Sequence, residues 1–210
     1  MTKNELRYQG TELQLMDAFS RAIVQRPLDR ITVTGLAEDA GISKAAFYLH
    51  YRDVHDLAET FAADYALDQV EAMAYRADFV RDPQRFAAGF LADLSRDGIG
   101  AALVENGLEP VYLDELTNDL VDALCADGLL PESASSSFEA TEGTAADGGA
   151  GLRLRMTAQF VFHGMASLSF RYADHPAEFG QVAGTLLQAL LAQAGHGADA
   201  GDATSAGSVG

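Results

Sequence analysis

The segment running from Ile31 to Leu57, ITVTGLAEDAGISKAAFYLHYRDVHDL, constrains the fold more than any other part of the chain. Its punctuation leaves room for two short helices and then a longer one. Thr32 can N-cap a helix reaching about Ala40, because its hydroxyl can accept from an unpaired amide of the first turn. Gly41 follows, and glycine enters the positive-φ conformation past a helix end without steric cost. Ser43 can cap a second short helix, Lys44–His50, and Asp53 a third that reaches about Tyr75. Val33, Leu36 and Ala37 are expected to face inward, as are Phe47 and Tyr51. Leu57, Phe61, Tyr65 and Ala72 are the expected buried positions of the third helix. Ala37 and Ala40 are small enough to let the two short helices approach closely.

Helical periodicity continues on both sides. Residues 11–26 place Leu15, Met16, Phe19, Ala22 and Ile23 on one face, at the i, i+3, i+4, i+7 spacing of an amphipathic helix, and Pro27 ends it. Further helices are expected at about 83–97, 99–107, 111–127, 152–173 and 176–194. Pro83, Pro110 and Pro176 stand near helix starts, where proline is tolerated. No strand-length alternation competes, so the expected fold is all-α. Residues 131–151 are dominated by Ser, Gly, Ala and Thr and read as a flexible loop. Residues 195–210 read as a disordered tail.

Composition excludes some classes. No run approaches the roughly 18 apolar residues of a membrane span, and residues 1–14 lack the apolar core of a secretory signal. Cys125 is the single cysteine. It cannot form an internal disulfide, and its apolar helical setting reads as a buried, inert thiol. A cytoplasmic location is expected.

The formal charge of −17 is unevenly spread. Residues 1–52 hold seven basic and six acidic groups, net +1, whereas residues 53–210 hold seven basic and 25 acidic groups, net −18. For the body alone this is the ordinary solvated surface of a helical protein. Beside a polyanion such a body is repelled, and the near-neutral end is turned toward it.

Two short helices around a glycine turn, followed by a capped long helix, are the parts a helix-turn-helix needs. Its second helix presents its first residues to the DNA major groove, where base edges are distinguishable. Here those are Ser43, Lys44, Ala45 and Ala46. Lys44 can donate to guanine or phosphate, the alanines can meet a thymine methyl, and Tyr48 and His50 can donate to phosphate oxygens. Tyr48 lies on a different face from Phe47 and Tyr51. With Thr32 and Arg52, these complete the candidate DNA-contacting set. No catalytic, cofactor or metal residues are assigned. The chain shows no glycine-rich phosphate loop, nucleophile elbow or paired-cysteine motif. His50, His55, His163, His175 and His196 show no metal-ligand spacing, so no enzyme is expected.

The residues ITV at 31–33, LAEDAGISK at 36–44, FYLHY at 47–51 and Leu57 resemble the DNA-binding domain of the TetR family of transcriptional regulators. The opening helix, TELQLMDAFSRAIVQR, resembles that family's first helix, so the detailed match covers about residues 11–58. The resemblance implies an N-terminal three-helix DNA-binding domain at 1–52 and a helical ligand-binding and dimerisation domain at 53–194. It implies a cytoplasmic homodimer paired through helices 152–173 and 176–194, with Gly164 and Gly184 permitting close approach. It implies a repressor that occupies a pseudo-palindromic double-stranded operator and is released by a small-molecule effector, without membrane association. Phe86, Phe90, Leu94, Leu103, Tyr112, Leu116, Phe162 and His163 are candidates to line an effector pocket, with plain core packing the alternative for each. Three positions depart from the family pattern. Ala46 stands where threonine is usual, Val54 where a lysine often meets phosphate, and Gly35 where a polar helix former is usual. These losses leave open a second function, a protein-interaction module with this fold and weak or no DNA binding.

Overall fold

A computed structural model describes residues 3–94, 96, 98–135, 145–169, 172 and 174–199. Among them the chain is all-helical, with no strand. The α-helices are α1 (Lys3–Gln25), α2 (Val33–Asp39), α3 (Lys44–His50), α4 (Val54–Ala72), α5 (Asp78–Arg81), α6 (Pro83–Leu94), α7 (Ile99–Glu105), α8 (Glu109–Ala126), α9 (Ala145–Ser169) and α10 (Pro176–Asp199). Short 3-10 turns occupy Leu28–Arg30 and Glu132–Ala134. No helix among the described residues is long and apolar enough to cross a membrane. Contacts divide the chain into two compact units, one comprising Met1–Ala66 and Leu94–Tyr112, the other Leu67–Asp93 and Leu113–Gly210.

In the first unit α1 packs on α2, α3 and α7, and α2 packs on α3. The periodic face of α1 supplies the buried Leu15, Phe19, Ala22 and Ile23, which meet a core containing Leu36, Phe47, Leu57 and Phe61. Phe19 and Phe61 meet edge to face at 5.1 Å between ring centres. Full burial of a leucine or phenylalanine contributes about 1.5–3 kcal/mol, so this face rather than helix propensity holds the short helices. The turn after α1 is tied to the end of α7. Leu28 N–H donates to Asn106 Oδ1 at 2.6 Å, and Asn106 Nδ2 donates to the Ala102 carbonyl at 2.7 Å.

The second unit is built on an aromatic cluster. Phe79, Phe86, Phe90 and Phe162 stack and abut with ring centres 5.1 to 6.3 Å apart. Helix α9 packs along α10 and against the 3-10 turn Glu132–Ala134. Arg155 clamps that turn, donating from Nε and Nη2 to the Ala134 carbonyl at 3.2 and 2.7 Å.

Several helix bounds differ from the sequence reading. Helix α1 starts at Lys3, eight residues before the periodic stretch, and α4 stops at Ala72. Ala72 itself is exposed and Tyr65 only half-buried. The flexible loop expected at 131–151 is corrected where it is described. Residues 132–134 form a 3-10 turn and α9 begins at Ala145, while 136–144 lie outside the described residues. The physical reason is at Gly151. A Cβ there would run into the Ser133 carbonyl, so this glycine makes room for a neighbouring backbone rather than breaking a helix. The tail expected to be disordered from residue 195 is helical through Asp199, and 200–210 lie outside the described residues.

Candidate functional site

Local capping builds the region around α2 and α3. Thr32 Oγ1 accepts from Gly35 N–H at 3.1 Å and starts α2. Gly41, at φ 68°, reverses the chain after it. Ser43 Oγ accepts from Ala46 N–H at 3.1 Å and starts α3. Asp53 Oδ1 accepts from Asp56 N–H at 2.9 Å at the head of α4. Each cap contributes about 1 kcal/mol. Phe47 is wholly buried and Tyr51 nearly so, and they pin the inner side of α3 to the core. The opposite side is left to solvent.

On that outer side Lys44 and Ala45 are exposed, Ala46 is half-buried, and Tyr48 is 59% exposed. Lys44 forms no ion pair among the described residues. Thr32 and Ser43 are exposed and use their oxygens as acceptors in the caps, which leaves each hydroxyl proton free to donate outward. Thus Thr32, Ser43, Lys44, Ala45 and Tyr48 present groups to solvent along two short, adjoining helices.

Two candidates sit differently. Arg52 is engaged by Asp56, whose Oδ1 accepts from Nη2 at 2.7 Å and whose Oδ2 accepts from the Arg52 backbone N–H at 2.8 Å. These contacts hold the Asp56 carboxyl below its usual range and the guanidinium above its own. His50 is half-buried, and its ring stacks on Tyr8 of α1 with centres 3.9 Å apart and planes 25° from parallel. Burial pushes its pKa below the ordinary histidine value, with the Glu12 carboxylate partly offsetting this. Beside it the Tyr51 hydroxyl faces Glu12 at 3.5 Å, and burial, then Glu12 and Asp64, push that phenol up.

Sequence reasoning missed two residues here. Leu49, on the outer side of α3 beside Tyr48, is 76% exposed. Its i+4 relation to exposed Ala45 was the available signal. Tyr8 could not be found from spacing, since its partner His50 is 42 residues away. Val54, the first residue of α4, is buried.

The residues considered for an effector pocket are mostly core. Leu103 and Tyr112 in the first unit, and Phe86, Leu116 and Phe162 in the second, have no accessible surface, so none borders a void that water could enter. Leu94 and Phe90 are nearly as enclosed. His163 is half-buried, with Nε2 3.2 Å from Asp114 Oδ1. An open apolar groove of about 390 Å³ lies instead between α9 and α10, lined by residues that include Phe160, Gly164, Leu168, Val182 and Leu186. Leu152, Met156, Phe160 and Leu168 recur at multiples of four along α9 and are all exposed. Gly164 completes that ridge and has open space before it, whereas Gly184 is taken up within the chain, where its Cβ would lie 2.5 Å from Gln84 Cα.

No family model, no curated protein and no solved structure matches the chain.

Proposed function

We propose that the chain is a DNA-binding transcriptional regulator of the TetR type, in which α1–α3 form a helix-turn-helix reading head. As a repressor it occupies a pseudo-palindromic operator as a homodimer. The observation that carries this reading is the outer side of α3, where Lys44, Ala45 and Tyr48 stand exposed on a helix capped by Ser43 and pinned by Phe47. An α-helix with its side chains is about 10–12 Å across, which fits a major groove about 12 Å wide. The pairing of two such heads is supported by the apolar ridge and groove on α9 and α10, since large apolar side chains in one contiguous strip mark an association surface. The enclosed aromatic core gives no support to effector release through the candidate pocket residues.

The alternative, an interaction module with little DNA affinity, draws on Arg52, whose charge is already met by Asp56. A gel-shift series with duplex from the gene's own upstream region separates the two. The regulator gives a specific complex at low salt that Lys44→Ala or Tyr48→Ala weakens. A stable dimer that shifts no duplex at low salt supports the interaction module and sinks the regulator.

A further inference from the structure

His50 carries an arrangement that the helix-turn-helix reading does not require. Its Nδ1 is enclosed, with no hydrogen-bond partner among the described residues, while Nε2 makes no hydrogen bond there either and is not enclosed. The enclosing surface includes the ring of Tyr8, stacked at 3.9 Å and contributed by the opening turns of α1. A proton on Nδ1 would bury a donor with no acceptor, whereas a proton on Nε2 can be hydrated. The stack fixes the orientation of the imidazole, and because an orphaned buried N–H is the costlier of the two states, the proton is expected on Nε2. Burial also favours the neutral ring, so the outward N–H is that of an uncharged donor.

We propose that Tyr8 is a positioning residue of the DNA interface, holding the His50 imidazole with Nδ1 inward so that Nε2–H donates to a backbone phosphate. The proposal rests on the DNA-binding reading above and extends it to α1, whose first turns become part of the contact surface through His50. Only the ring of Tyr8 is needed, because it is the ring face that covers His50. Tyr8 is itself about half exposed near the start of α1, so its removal leaves the core of the first unit untouched.

The test uses the ¹⁵N-labelled 210-residue chain and a labelled random-sequence duplex about 30 base pairs long, room for two half-sites one helical turn apart. Long-range ¹H–¹⁵N spectra of the free protein at neutral pH are expected to show His50 protonated on Nε2 alone. Tyr8→Ala is expected to mix the tautomers and weaken binding roughly tenfold at low salt, the loss of a donor to a charged oxygen. Tyr8→Phe keeps wild-type affinity and the wild-type spectrum. In a His50→Ala background, Tyr8→Ala costs nothing further. A His50 proton on Nδ1, wild-type binding by Tyr8→Ala, or an undiminished Tyr8→Ala effect without His50 each overturns the positioning role while leaving the DNA reading intact. A wild-type chain that binds neither this duplex nor one from the gene's own upstream region overturns both.

Discussion

Gly35 and Gly41 flank α2 closely, yet opposite outcomes are expected when each becomes alanine. Gly41 sits at φ 68°, where a Cβ crowds the following carbonyl, so Gly41→Ala should destabilise the protein by about 1–2 kcal/mol. Gly35 has an ordinary helical backbone, and an added Cβ would rest 3.4 Å from Thr32 Oγ1, a normal contact. Gly35→Ala should therefore stabilise by about 0.5–1 kcal/mol, through helix propensity alone. Urea unfolding of the two variants checks both signs. His50 supplies a pH test at the same scale. Its folded pKa is lowered, so between the unfolded value of 6.5 and that lower value the unfolded chain binds more protons. Stability should fall as pH drops below 6.5 and level off once the folded-state pKa is passed. A thermal-unfolding series shows this, and His50→Asn should lose that part of the slope.

The elements most legible in the sequence were those whose determinants are local. Thr32, Ser43 and Asp53 cap the helices expected of them, and the turn glycine stands where the spacing put it, because a cap needs only residues three positions away. The candidate site was legible to the same depth, since exposure of Lys44, Ala45 and Tyr48 follows from burial of Phe47 on the other side. What could not be read depends on distant partners. Gly151 reads as a loop residue in the sequence because Ser133, which excludes its side chain, belongs to another element. The apolar residues of α6 and α9 gave no sign of whether they would line a void or close it. Gly184, expected at an interface between copies, instead lets α10 approach the backbone of α6. Gly184→Ala should accordingly cost about 1–3 kcal/mol by overpacking within the chain. Calorimetry in dilute solution tests that, and an unchanged melting temperature would contradict the close approach.

At the scale of the whole molecule, charge and the apolar ridge act together. A net charge of −17 opposes any approach to DNA except by the near-neutral N-terminal residues, so under the proposed function affinity should rest on few phosphate contacts and vary gently with salt. Under the proposed dimer, Lys44→Ala removes two cations and should lower the slope of log affinity against log salt by about 1.8 if both meet phosphates. Fluorescence anisotropy across a salt series measures it. The ridge is tested by size. Phe160, 74% exposed, and Leu186, 56% exposed, would each be buried twice in a symmetric pair. Phe160→Asp or Leu186→Asp should raise the dimer dissociation constant at least about 100-fold, read by sedimentation equilibrium, while leaving each chain folded.

The apolar strip along α9 and α10 also sets how such a molecule would respond to its own abundance. Below the dimer dissociation constant, paired heads accumulate with the square of the number of chains, so halving expression would cut operator occupancy about fourfold. Gene dosage would then be sensed more steeply than by a single-chain binder, with the threshold tuned by side chains that never touch a nucleotide.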